Sequence, residues 1–214
     1  MGVFDLNEKS PIRIETFMGS NIYYIDDFYK KPQLILKLLD TIPAKIHHPG
    51  RDLRFASKNG VYFDDKRHMS TFLEMEKVTS YLSKICKSTL DQDPRMLMTN
   101  KTRFYPNTFN DYKNNYWHPH TDPGYTALIY LNKSDSECGT NLYKEVLPDT
   151  ENRRGEHVVP WRSKTKWEIV KTLEPKFNRC ILFDGSYFPH GMHIPNERYF
   201  KDEYRLNQVV FFKN

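Results

Sequence analysis

A chain of 214 residues with 14 Phe, 14 Tyr and 3 Trp is long enough to bury a core and too aromatic for a disordered polymer. Its 32 basic and 27 acidic residues give a formal charge of +5 spread along the chain, which permits an acidic partner and indicates none. Composition excludes collagen-like, coiled-coil and disulfide-scaffold classes, and no run of about 18 apolar residues is available to span a membrane. Cys86, Cys138 and Cys180 are too few and too widely spaced for a disulfide framework, and no Cys-x-x-Cys pair suggests zinc. Residues 1 to 6 form no basic-then-apolar leader, and Leu6 stands where a myristoylation signal has Ser or Thr. The expectation is one domain in the cytoplasm.

In chain order, Asn21 to Ile25 reads as a strand. Pro32 to Asp40 reads as a helix, with Pro32 in its first turn and Leu34, Ile35, Leu38 and Leu39 on an apolar face. Residues 43 to 66, rich in Pro, Gly, Asn, Asp and His, read as loop. A second helix is predicted from about Phe72 to Leu90, opened by the capping box Thr71-Phe72-Leu73-Glu74. Its stripe of Phe72, Met75, Val78, Leu82 and Ile85 is read as core packing. From Met96 the texture turns to short β-branched or aromatic strands. These are Met96 to Tyr105, Thr126 to Leu131, Asn141 to Lys144, Lys166 to Val170, Cys180 to Phe183 and Tyr204 to Phe212. Such spacing predicts a sandwich or barrel, with helices supplied by the N-terminal third. Val146 to Thr165 breaks the rhythm as a polar insertion of the kind that forms lids.

The chemistry centres on Trp117-His118-Pro119-His120-Thr121-Asp122. In an extended segment residues i and i+2 share a face, so His120 and Asp122 can present an imidazole and a carboxylate to one cation. Two ligands hold a metal poorly, and a third must come from His157, His190 or His193. The strand Cys180 to Phe183 and the turn Asp184-Gly185 deliver Phe188-Pro189-His190, which makes His190 the preferred candidate over His193. Two histidines and one carboxylate on one face leave three octahedral positions open, the pattern of non-haem Fe(II) oxygenases. A His-x-Asp by itself is a common accident. Arg205, on the last strand, is costly to bury unpaired, and a carboxylate partner offsets that cost. Asn207 points the same way. A solvent-facing Arg205, or one paired with a structural acid, is the alternative, and periodicity does not choose because both faces of the strand are apolar.

The ordered set Phe104-Tyr105-Pro106, His120-Thr121-Asp122-Pro123, Leu128 to Asn132, Gly139 to Leu142, Pro189-His190 and Arg205 resembles the Fe(II)/2-oxoglutarate-dependent dioxygenases. The prolyl 4-hydroxylase-like branch is the nearest in pattern, and the resemblance covers about residues 96 to 214. It implies a mainly β (α+β) fold, a double-stranded β-helix or jelly-roll core over 96–214, with 1–95 as helical support. It further implies His120, Asp122 and His190 as iron ligands and Arg205 gripping the distal carboxylate of 2-oxoglutarate. Asn207 stands where some members use Ser, Tyr130 and Tyr105 match positions that line the co-substrate pocket, and Leu142 packs against it. The implied cofactors are Fe(II), 2-oxoglutarate and O₂. The implied reaction is hydroxylation of a C–H bond in a peptidyl residue or a small molecule, with release of succinate and CO₂. The insertion would supply Trp161, Arg162 and Trp167 toward the substrate.

Departures from the pattern sharpen the alternatives. Cys138-Gly139 keeps one glycine where the family often has two. Nucleic-acid demethylases of the superfamily carry a second arginine where this chain has Phe211, so nucleic acid is not an expected partner. A cupin would want Glu where Gly124 and Tyr125 stand. The remaining rival is a non-catalytic jelly-roll that binds a metal or a partner.

Overall fold

The computed structural model describes residues 2–42, 45–47, 63–69, 72–87, 89–90, 97–104, 112–133, 137–149, 161–198 and 203–213. In chain order the first elements are β1 (Ile12–Phe17), β2 (Ser20–Ile25), α1 (Pro32–Thr41), β3 (Lys45–His47), β4 (Phe63–Met69) and α2 (Phe72–Cys86). They are followed by β5 (Thr89–Leu90), β6 (Leu97–Phe104), β7 (Asn115–Trp117), β8 (Tyr125–Tyr130) and β9 (Thr140–Glu145). The last are β10 (Trp161–Ser163), β11 (Trp167–Leu173), β12 (Arg179–Asp184), β13 (His190–Met192) and β14 (Arg205–Lys213). No helix among the described residues is long and apolar enough to cross a membrane.

One large sheet runs β1-β2-β12-β8-β14-β6-β4-β3, with β5 added to β14. Opposite it lie β11-β9-β13, and β7, paired with β10, joins them through an antiparallel bridge between His120 and His190. From β6 onward the chain passes back and forth between the layers: β6, β8, β12 and β14 enter the large sheet, and β7, the successive β9, β10 and β11, and β13 lie on the facing side. Antiparallel strands wound in that order are a double-stranded β-helix, the mainly β jelly-roll expected from the sequence.

The N-terminal residues contribute strands as well as helices. β1 and β2 extend the large sheet beyond β12, and β3 and β4 extend it beyond β6. The β1-β2 hairpin turns through Met18 at φ 48° and Gly19 at φ 85°, a two-residue type I′ turn. Methionine is an unusual occupant of that left-handed position. β4 and β3 fall partly within the stretch read as loop, because Asp64 to His68 are five consecutive polar residues with no alternation to betray a strand. α1 forms where the apolar periodicity placed it. α2 starts at Phe72 as expected but ends at Cys86, with the last residue of its apolar stripe at Ile85, so that Thr89-Leu90, expected as helix, is β5. Thr71 of the capping box lies outside the described residues.

The central strands of the large sheet, β8, β12 and β14, are buried on both faces. Leu128 and Tyr130 of β8 point between the layers, together with Leu142, Ile181 and Phe183. Ala127 and Ile129 point the other way, onto Ile35 and Leu39 of α1 and Val78 and Leu82 of α2. Removing both faces from water makes such strands continuously apolar in sequence rather than alternating. β14 follows the same rule: Val210 and Phe212 meet the helices, while Asn207 and Val209 share the opposite, inward face with Arg205.

Two local devices lock this arrangement. A Cβ placed on Gly191 would sit 2.3 Å from Trp117 O and 3.1 Å from His118 O, so only glycine lets β13 close on β7. At the other side of the layers Arg179 donates to Asp26 from Nε (2.6 Å) and Nη2 (3.2 Å), and Lys176 Nζ donates at 2.8 Å, tying the end of β2 to β12. Hydrogen bonding from Arg179 is the main reason that the Asp26 carboxyl falls from its ordinary 3.8 to about 2, against the opposing effect of burial.

Gly191→Ala should destabilise the protein by about 1–3 kcal/mol, because the obstructing atoms are backbone, and a lowered denaturation midpoint would register it. The depressed Asp26 carboxyl contributes stability that is whole above its unfolded value near 3.8 and is lost as pH falls toward about 2. Urea midpoints measured through that window should therefore drop more steeply for the natural protein than for Asp26→Asn.

Candidate metal centre

After β7 the chain passes through His118, at φ 42°, and lays His120 antiparallel to His190. His120 N donates to His190 O at 3.0 Å, and His190 N donates to His120 O at 2.7 Å. Two residues on, Asp122 N donates to Gly185 O at 3.0 Å, in the turn that follows β12. A Cβ on Gly185 would meet Thr126 Oγ1 at 2.4 Å and Asp122 Cβ at 3.1 Å, so the turn must carry glycine to let the carboxylate segment approach. These backbone ties set the candidate ligand atoms of His120, Asp122 and His190 within 4.8 Å of one another. Among the described residues theirs is the one three-membered cluster of this kind. His193 is not part of it: its N–H donates to Gly139 O, and its ring lines a separate cavity of about 90 Å³ with Tyr116, Asn141 and Lys164. His157 and Tyr105 lie outside the described residues.

The hydrogen bonds fix which nitrogens face inward. His120 Nδ1 lies 2.7 Å from His118 O, and His190 Nδ1 lies 2.9 Å from Phe188 O. A carbonyl only accepts, so each Nδ1 carries a proton and each Nε2 is turned to the cluster as the candidate donor atom for a cation. His190 Nε2 is 3.1 Å from Asp122 Oδ2, and His120 Nε2 is 3.8 Å from Asp122 Oδ1. Lone pairs at those distances repel unless a positive centre, a proton or a metal ion, stands between them. Thr126 Oγ1 also donates to Asp122 Oδ2, at 2.7 Å. Burial is the largest influence on this carboxyl and pushes its pKa up. The hydrogen bond and charge of His190, with His120 and Thr126, outweigh it and hold the group below its ordinary value. An ionised carboxylate beside two imidazole Nε2 atoms is an oxygen- and nitrogen-based donor set, which suits a divalent transition metal once the imidazoles are neutral. The side chains of His190, Asp122 and His120 are 6%, 13% and 37% exposed, so the cluster opens on the His120 side.

Arg205 begins β14 opposite Thr102. Its Nε is buried without a hydrogen-bond partner, and among the described residues no carboxylate forms an ion pair with it. The Cys138 thiol lies against this guanidinium, and its charge partly offsets the rise that burial imposes on both Cys138 and the Tyr130 phenol, the latter pushed up to about 12. Tyr130 OH donates to Thr140 Oγ1 at 2.9 Å. Asn207 is buried on the inward face, in register with Tyr130, and Leu142 is fully buried in register with His190. A buried guanidinium nitrogen without a partner needs an explanation, and a carboxylate is the kind of group that would satisfy it. Thr126 was not singled out in the sequence, since nothing there distinguishes it from an ordinary strand residue, and Cys138 was noted only as a cysteine beside Gly139.

The insertion residues expected to face a substrate are turned inward. Asp149, with no exposed side-chain surface, accepts from Arg162 Nε (3.1 Å), Lys166 Nζ (3.2 Å) and Trp167 Nε1 (3.1 Å). Arg162 Nη1 also donates to Trp161 O at 2.9 Å, and Trp161 meets Trp117 edge-on at 5.1 Å. Arg162 and Trp167 therefore hold β10 and β11 to the loop after β9, and through Trp161 they support the strand that leads to His120.

No family model matches the chain, and no curated protein is similar to it. Among solved structures it is similar to a 2OG-Fe(II) oxygenase family oxidoreductase from Burkholderia pseudomallei, at 10% identity and a TM-score of 0.45, covering 90% of this chain and 84% of that one. It is similar to a prolyl 4-hydroxylase from Phytophthora capsici, at 13% identity and 0.43, covering 90% and 58%. A Pseudomonas putida prolyl-4-hydroxylase follows at 10% identity and 0.35, covering 86% and 100%. Likeness this remote leaves the function to be read from the chain's own residues.

Asp149→Asn should strand the Arg162 charge in the interior and cost about 3–5 kcal/mol of stability. Replacing both partners, Asp149→Leu with Arg162→Met, should recover a large part of that loss in the same unfolding measurement.

Proposed function

We propose that the protein is an Fe(II)- and 2-oxoglutarate-dependent oxygenase that hydroxylates a C–H bond of a peptidyl residue or a small molecule. The observation that carries this reading is the coexistence, within one β-helix, of a two-histidine, one-carboxylate cluster and a half-buried arginine, Arg205, whose buried Nε has no partner. His120 Nε2, His190 Nε2 and Asp122 would hold the iron on one side, and the exposed His120 flank would leave its other side accessible. Iron bound there, with O₂ and 2-oxoglutarate, supplies oxidative decarboxylation to succinate and CO₂ coupled to oxygen transfer into the substrate.

The protein's own contribution is placement and dryness. Carbonyls of His118 and Phe188 keep both imidazoles in the tautomer that offers Nε2. Phe183 stands edge-on to His190 at 5.0 Å and fixes the plane of its ring. Thr126 orients Asp122 from outside the cluster. Arg205 would take the far carboxylate of the co-substrate, with Asn207 on the same face offering an amide. Tyr130 forms a wall whose phenol burial keeps protonated, and Leu142 keeps water from the floor. Tyr105 is retained as a pocket residue on the sequence resemblance alone.

Anaerobic titration of the metal-free protein with Fe(II), then 2-oxoglutarate, tests the reading. A visible charge-transfer band should appear only when both are present. It should be lost in Asp122→Ala and in His190→Ala. Arg205→Ala should keep the iron and require about 10- to 100-fold more 2-oxoglutarate, the equivalent of one charge-assisted hydrogen-bonded contact. A folded protein indifferent to both additions would overturn the proposal in favour of a non-catalytic jelly-roll. Loss of iron in His193→Ala but not in His190→Ala would overturn the assignment of the third ligand.

A further inference from the structure

We propose that a second copy of this chain pairs with the free edge of the large sheet, β1 against β1, antiparallel about a two-fold axis at Ile14. The inference is independent of the metal centre. β1 ends the large sheet and, among the described residues, is hydrogen-bonded on one side only, to β2. The type I′ turn at Met18-Gly19 makes Phe17 and Ser20 a hydrogen-bonded pair. Alternation along an antiparallel ladder then makes Glu15–Ile22 and Arg13–Tyr24 hydrogen-bonded pairs as well. The N–H and C=O groups of Ile12, Ile14 and Thr16 consequently point away from β2, off the edge.

The side chains at this edge are apolar where a protected edge would carry charge. Ile14 is 57% exposed and Ile12 39%, on the face that neighbours Tyr23 and Ile25. Natural edges are normally blunted by inward-pointing charges, proline or a covering segment. Here Arg13 and Glu15 lie on the opposite face: Arg13 stacks on Tyr24 and lies 3.7 Å from Glu15, which also accepts from Tyr24 OH at 3.2 Å and from Lys171 Nζ at 2.7 Å. β1 therefore offers a six-residue template with isoleucine on one face.

Charge selects the occupant and the register. With Ile14 opposite Ile14, the outward groups of Ile12 meet those of Thr16 in the other copy, and Arg13 faces Glu15 twice across the axis. Sliding one strand by two residues keeps outward groups opposed but sets Arg13 against Arg13, or Glu15 against Glu15, which repel. The self-pairing that satisfies the backbone is thus also the one that matches the charges, as an isologous interface requires. A single strand-to-strand contact is small, which places the dimer in the weak class that dissociates on dilution.

Sedimentation equilibrium of the full chain over a dilution series tests the pairing. The natural protein should pass from dimer to monomer as it is diluted. Ile14→Pro should be monomeric throughout with unchanged thermal unfolding, because the N–H it removes is not used within the chain. Arg13→Glu should weaken the dimer by about tenfold, and adding Glu15→Arg to it should restore association, with circular dichroism confirming the fold of each variant. A natural protein that is monomeric at every concentration overturns the proposal, even if its edge captures some other extended peptide. Dimers that persist in Ile14→Pro, or that ignore both charge variants, overturn it equally.

Discussion

The exchange of two backbone hydrogen bonds between His120 and His190 is the contact on which the candidate centre depends. It is one antiparallel bridge, without a ladder around it, and it seals β7 onto β13 at the mouth of the β-helix. Each histidine turns its Nδ1 back to the carbonyl two residues before it, so the same side-chain contact occurs on both sides of the bridge. The Nε2 atoms are thereby directed at a shared space before any cation is considered. Asp122, tied to Gly185, completes that space from a third direction. Preorganisation of this kind means that binding a metal need not also order its ligands.

The rest of the molecule supports that bridge in tiers. Helices α1 and α2 bury the outer face of the large sheet and fix β8, β12 and β14, which carry Tyr130, the Gly185 turn and Arg205. On the facing layer, Asp149 gathers Arg162, Lys166 and Trp167, and the Trp161–Trp117 contact transmits their rigidity to the strand before His120. Burying an ion pair is a poor source of net stability, but it permits only one arrangement of the groups around it. Specific orientation is what a centre built from short strands needs, since β7, β10 and β13 have three residues each.

Legibility in the sequence followed burial. The strands buried on both faces, β8 and β12, and the amphipathic helices announced themselves by apolar runs and periodicity. The hidden elements each lacked that signal: β4 is polar through its middle, β7, β10 and β13 are shorter than any periodicity, and the β1-β2 turn uses methionine where Asn or Gly would have marked it. In the centre, the i, i+2 spacing of His120 and Asp122 predicted a shared face, and the fold brings His190 rather than His193 beside them. The facing of Arg205 was undecidable from an apolar strand and is set by tertiary packing, which assigns alternate residues of β14 to the two cores. Arg162 and Trp167 illustrate the reverse case. Charge and aromaticity in an insertion suggested contact with a substrate, whereas a single buried acid, Asp149, draws both inward.

The gradient of exposure across the three candidate ligands has a kinetic consequence. Water reaches the imidazole of His120 and hardly touches His190, so an ion held at this mouth would enter and leave along one flank. His120 would be the first ligand exchanged for solvent, while the deeper imidazole and carboxylate would keep a two-point grip. Recapture from that half-released state would compete with escape, and the residence time would follow how quickly the more exposed ring returned.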